Sequence, residues 1–334
     1  MPLLRQSVVG FVLAVWAFGP ASAQGDEGIV VYTSQHAALT QAWAAAFTEE
    51  TGIPVTIRKG TDTVMANQII QEGENSPADV FLTENSPAMV LVERAGLFAP
   101  VAASTLERVP EEFRPASGMW TGIAARTTVF AYNTELLDEA DLPGSMLDLA
   151  GHDWEGRWGA APAGADFQAI VSALLQLRGS EETADWLAGL KRNALAYRGN
   201  FEAMRGANVG EVEGALIYHY YYFGDRDGTG ESSDKLALHH FGDEDPGAFV
   251  SVSGAGVLAS SSHPDAAQAF LAFVTGPGGQ AILRDGDSFE YAIASGVEAH
   301  PALPPLDGLD YPKVDPSLLN ASEVVALMTA SGVF

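Results

Sequence analysis

Ala78-Asp79-Val80-Phe81-Leu82-Thr83-Glu84-Asn85-Ser86-Pro87 joins a buried-strand signal to a helix-start signal, and this junction decides the fold. Residues 78–82 form a short, mostly apolar run of the kind buried in a sheet. Ser86 then supplies a cap, and Pro87 a preorganised first turn, for a helix over residues 89–95. The same alternation precedes it. Residues 29–32 are strand-like, and Leu39, Trp43, Ala46 and Phe47 recur on one helical face before Gly52 stops it. Residues 55–57 predict another strand and residues 64–70 a short helix. Strand and helix in alternation imply crossover helices over a largely parallel sheet, an α/β fold.

A second α/β section begins near Ile123. Residues 129–132 are strand-like; Phe167, Ile170, Val171, Leu174 and Leu175 make one helical face, and residues 183–190 a shorter one. A strand with aromatic residues is expected over 213–222, another over 249–258, and a helix over 264–274 with Pro264 in its first turn. No composition shift marks a flexible linker, so two lobes joined by strands fit better than separate beads. The Pro- and Asp-rich stretch 300–317 predicts an irregular segment packed over a lobe, followed by a short helix around 322–328.

Across 334 residues, 17 Lys and Arg stand against 43 Asp and Glu, a formal charge of −26. That balance argues against nucleic acid or an anionic membrane as partner, because general attraction to phosphate is missing. The 47% hydrophobic fraction and mean hydropathy of +0.07 suit a packed globular chain rather than an acidic disordered one. With no cysteine, disulfides and thiolate metal sites are excluded, so any metal takes nitrogen or oxygen ligands. At the start of the chain, Arg5, the apolar run 8–18 and the small residues Ala21-Ser22-Ala23 predict a signal peptide over 1–23.

Leu216-Ile217-Tyr218-His219-Tyr220-Tyr221-Tyr222-Phe223 gathers four of the nine tyrosines within five positions. As a strand it places Tyr218, Tyr220 and Tyr222 on one face, with His219 and Tyr221 on the other. Core or cleft packing accounts for such a stripe; equally, adjacent phenol oxygens at a strand end can converge on a hard cation. Partners lie earlier in the chain. His36 and Glu84 each follow a predicted strand, where α/β proteins commonly bind ligands.

These stretches, Val31-Tyr-Thr-Ser-Gln-His36, Ser76-Pro-Ala-Asp-Val-Phe-Leu-Thr-Glu-Asn85 and Leu216-Ile-Tyr-His-Tyr-Tyr221, resemble the periplasmic ferric-iron-binding proteins of ABC uptake systems. The resemblance extends over about residues 29–291 and implies a two-lobed α/β solute-binding fold, with hinge strands and an interlobe cleft. It implies Fe(III) ligation by His36, Glu84, Tyr220 and Tyr221, and it implies lobes of 24–125 with 252–304 and of 126–251 with 305–334. One carboxylate, two phenolates and an imidazole suit this hard ion. Also implied is a synergistic carbonate, phosphate or citrate, or water in its place, with the anion held by Ala163, Gly164, Ala165 and Asn200 at a helix N-terminus and Arg126 nearby. Iron would bridge the lobes of a periplasmic monomer and favour a closed form recognised by an inner-membrane ABC permease.

Three positions depart from the family pattern. Ala125-Arg126-Thr127-Thr128 lacks a second arginine, Tyr218 stands where Asn is frequent, and Ala163 stands where Ser can occur. Tyr218 can therefore support the metal or compete for it. A binder of another metal or a small oxyanion is the nearer alternative. A metal-dependent enzyme is the more distant one, since no serine elbow, phosphate-binding glycine loop or zinc-protease motif is present.

Overall fold

The computed structural model describes residues 28–333; the expected signal peptide lies outside them. In chain order, β1 (Ile29–Thr33) leads into α1 (Ala37–Thr51), β2 (Val55–Lys59) into α2 (Asp62–Glu72), and β3 (Val80–Leu82) into α3 (Ser86–Arg94). Next come β4 (Phe98–Ala99), α4 (Ala103–Leu106) and the long strand β5 (Thr121–Asn133). The chain continues through β6 (Trp158–Ala160), α5 (Ala165–Asn193), β7 (Ala194–Ala196), α6 (Asn200–Asn208), β8 (Gly214–Tyr218), α7 (His219–Asp227) and β9 (Leu236–His239). It returns in β10 (Val250–Leu258), then forms α8 (Pro264–Val274), α9 (Pro277–Asp285) and, after an irregular tail, α10 (Ala321–Ala330).

Local chemistry explains most boundaries. Leu39, Trp43 and Phe47 bury one stripe of α1, and Gly52 ends the helix with a left-handed φ of 75°. The Trp43 indole donates to Gly279 O at 2.8 Å, tying α1 to α9. α3 begins at Ser86 with Asn85 in the cap position, so Ser86 is not the expected cap. Its hydroxyl instead donates to Val252 O at 2.7 Å, fastening the helix start to β10.

The strands pair in the order β2-β1-β3-β10-β5-β8-β6-β7, with β4 on β10 and β9 on β5. β1 is parallel to β2 and β3, and β6 to β7 and β8. β10 and β5 run antiparallel to their neighbours, so the sheet is mixed rather than largely parallel. The difference arises because these two strands pass between the halves of the molecule instead of returning through a local crossover helix. β5 pairs with β10 up to Thr127 and with β8 from Thr128 onward. One apolar cluster, around Trp43, Phe47 and Phe270, lies on the first side of that seam. Another, around Trp158, Phe167 and Trp186, lies on the second and receives Val324 and Met328 of α10.

Two sequence expectations change shape. The helical faces expected around 167–175 and 183–190 form one helix broken at Gly179, whose φ of 81° and ψ of 173° are essentially restricted to glycine. Gly179→Ala is expected to cost about 1–3 kcal/mol in urea denaturation, with the cleft side chains unaffected. The strand expected over 213–222 ends at Tyr218. Thr127 N–H donates to the His219 Nδ1 at 3.0 Å, so a side chain takes the place of the next strand pair and the backbone turns into α7. Tyr218, Tyr220 and Tyr222 therefore do not share a strand face; aromatic and β-branched residues suit a strand, but this tertiary contact overrides that preference.

Candidate metal centre

β1 and β3 lie side by side with Thr33 paired to Leu82, so the turns that follow them emerge together. His36 and Glu84 ride on those turns, with the imidazole Nε2 3.3 Å from the Glu84 carboxylate and side chains 24% and 25% exposed. From across the seam, Tyr220 and Tyr221 project from the first turn of α7. Successive helical residues point about 100° apart. Even so, both hydroxyls donate to the same oxygen, Asp166 Oδ2, each at 3.0 Å. Their rings lie 4.2 Å apart, and the Tyr220 ring meets His36 edge-on at 4.9 Å. The structure thus brings together all four residues expected to meet a metal.

Asp166 was not a candidate from sequence. It is the second residue of α5, where an acid ordinarily reads as a favourable partner for the helix dipole. Buried at 5% exposure, its Oδ2 also accepts from Asn200 Nδ2 at 2.9 Å, and its Oδ1 from Asn85 Nδ2 at 2.9 Å. Asn85 belongs to the first half of the molecule, so this carboxylate joins the halves. Asn85 also donates to Asp62 Oδ2 at 3.2 Å. Asp62 in turn accepts from the main-chain N–H of Glu84 at 3.0 Å and fixes the turn that carries it.

Arg126 lies under the site, fully buried. It donates to the Glu84 main-chain oxygen, pairs with Glu290 and reaches Ser253 Oγ at 2.7 Å. Its guanidinium also stands 5.6 Å from the Tyr220 ring centroid. Asn200, Ala163, Gly164 and Ala165 line a cavity of about 500 Å³ beside Glu84 and Tyr221. The Gly164 N–H, at the position where the anion is expected, closes a turn onto Ala161 O at 3.0 Å. Tyr218 is buried, its hydroxyl 3.3 Å from both Asn85 Oδ1 and the Asp166 main-chain oxygen, so it bridges the halves.

Electrostatics keep the donors neutral. Burial, followed by the charge of Asp166, pushes the Glu84 carboxyl up to about 8. Burial and then Arg126 lower His36 to about 4. Both phenols are pushed above their ordinary value, first by burial and then by Asp166. A protonated carboxyl, two phenols and an unprotonated imidazole are donors from which a bound metal ion would have to displace protons.

Residues 75–308 match the family described as "Bacterial extracellular solute-binding protein". The "Fe(3+)-binding periplasmic protein" of Serratia marcescens is 55% identical over 317 residues, covering 95% of this chain and 94% of the relative. The "Major ferric iron-binding protein" of Neisseria meningitidis serogroup B is 35% identical over 312 residues, 93% of each chain. Among solved structures, iron-bound HitA from Pseudomonas aeruginosa superposes with a TM-score of 0.85 at 44% identity, over 92% of this chain and 99% of the other.

Proposed function

The chain belongs to the bacterial extracellular solute-binding proteins, and from that premise we propose that it holds Fe(III) on His36, Glu84, Tyr220 and Tyr221. It is a periplasmic ferric-iron-binding protein that serves an ABC permease, a transport component rather than an enzyme. The observation that carries the ligand assignment is the meeting of the Tyr220 and Tyr221 hydroxyls on one carboxylate oxygen, with His36 and Glu84 opposite. Loss of the two phenol protons would leave paired phenolate oxygens facing the imidazole and the carboxylate. Since every donor belongs to one chain, a monomer suffices for capture.

Asp166 bears on the anion. It stands at the N-terminus of α5 with Asn200 as donor, the place where a carbonate, phosphate or citrate was expected. Once iron displaces the phenol protons, Asp166 Oδ2 loses two donors and faces the metal as a built-in anion. Fe(III) affinity of the wild type should therefore change little when bicarbonate, phosphate or citrate is controlled. In Asp166→Asn it should fall about 10- to 100-fold and recover with added anion. Iron titration followed by visible absorption and calorimetry tests both parts. One equivalent of Fe(III) with a tyrosinate charge-transfer band supports the function, whereas binding without that band counts against the site. A steep requirement for an added anion in the wild type would sink the role of Asp166.

A further inference from the structure

Glu290 is fully buried at the seam, on the side of His36 away from Glu84. Its Oε1 is committed to the Arg126 ion pair and lies 3.2 Å from Ser253 Oγ and 3.4 Å from Gln35 Nε2. Its Oε2 has no hydrogen-bond partner among the described residues and lies 3.8 Å from His36 Nδ1. A buried carboxylate oxygen without a donor is expensive, and the imidazole is the group placed to satisfy it. The separation exceeds a hydrogen bond, and a ring movement of about 1 Å closes it.

The backbone holds this carboxylate in place. Phe289, just before it, has a φ of 52°, a left-handed conformation that bulky residues rarely adopt. It is retained by His219, whose Nδ1 accepts from Thr127 N–H and whose Nε2 lies 2.8 Å from Phe289 O. On the other side, Tyr291 N–H donates to Ala125 O at 2.8 Å. Strain fixed from both sides is a feature of sites where a side chain must be aimed.

We infer that Glu290 is a positioning residue for His36, accepting the Nδ1 proton so that Nε2 is left bare for the metal. A neutral imidazole carries one N–H and one acceptor, and metal-bound histidines commonly give their remote N–H to a carboxylate. The chain Arg126–Glu290–His36 then sets both the tautomer and the ring angle. This rests on His36 being an iron ligand.

Glu290→Gln is a sharp probe because it keeps the shape. Arg126 requires the amide oxygen at the Oε1 position, which turns the amide nitrogen toward His36 Nδ1. His36 Nδ1 must then accept from that amide, and the ring proton moves to Nε2, where it obstructs iron. Long-range ¹⁵N correlation spectra of the iron-free protein at neutral pH read the tautomer directly, with His36 assigned by the signal lost in His36→Gln. The wild type should show Nδ1–H and Glu290→Gln should show Nε2–H. Chelator competition should give Fe(III) affinity about 10- to 100-fold weaker in the variant. An Nε2–H wild type overturns the inference even if the variant does not fold, and so does a variant that retains the wild-type tautomer. The ligand role of His36 fails separately, if His36→Gln binds Fe(III) as tightly as the wild type.

Discussion

Tyr220→Phe and Tyr221→Phe are each expected to remove the share of the visible tyrosinate-to-iron absorption that the lost phenolate carries, and to weaken Fe(III) binding by more than the roughly 10- to 100-fold typical of losing a residue that only orients a ligand. Each change deletes one hard anionic oxygen from the donor set and one hydrogen bond of 3.0 Å to Asp166. The rings themselves remain, so the 4.2 Å contact between them and the 4.9 Å contact with His36 persist and the fold should survive. Tyr218→Phe is the internal control. Its hydroxyl bonds Asn85 and the Asp166 main chain, so its loss should loosen the join between the halves while leaving the band in place. Absorption titrations of the three variants separate these outcomes; an unchanged band in both Tyr220→Phe and Tyr221→Phe would eliminate the proposed site.

Affinity should also climb steeply with pH. The two phenols are raised above their ordinary value, and Glu84 is raised to about 8, so at neutral pH the iron-free site holds all three protons. Each proton that Fe(III) must displace weakens apparent binding tenfold per unit of pH below the corresponding pKa. The phenols together therefore give about 100-fold per unit, rising to about 1,000-fold per unit below pH 8, where Glu84 is protonated as well. His36, lowered to about 4, adds no proton until the solution is strongly acidic. Competition against a chelator of known proton dependence, between about pH 6 and pH 9, measures the slope. Dependence on one proton or fewer would contradict a site built from two phenols. The same linkage makes acidification a route to release.

Much of the first half was legible because its signals are local. A run such as Val80-Phe81-Leu82 must be buried, and the spacing of Leu39, Trp43 and Phe47 fits only a helical stripe. His36 and Glu84 could be placed at strand ends for the same reason. Tyr220 and Tyr221 could be named as a pair, yet their presentation could not, because aromatic residues satisfy a strand as readily as the start of a helix. What ends the strand is a contact between Thr127 and His219, 92 positions apart. Asp166 and Glu290 gave no local sign either; an acid at a helix start and an acid between two aromatics look ordinary until their distant partners are known.

Alone, the sequence determined the α/β alternation, the absence of thiolate chemistry and the residue types able to bind a hard cation, because burial periodicity and donor chemistry are written residue by residue. Only the tertiary structure decided the mixed sheet around β5 and β10, the turn of Tyr220 and Tyr221 onto Asp166, and the burial of Arg126 and Glu290 beneath His36. Those depend on which distant groups meet at the seam, where the cost of leaving a buried charge or hydroxyl unpaired selects one arrangement among several that the local pattern allows.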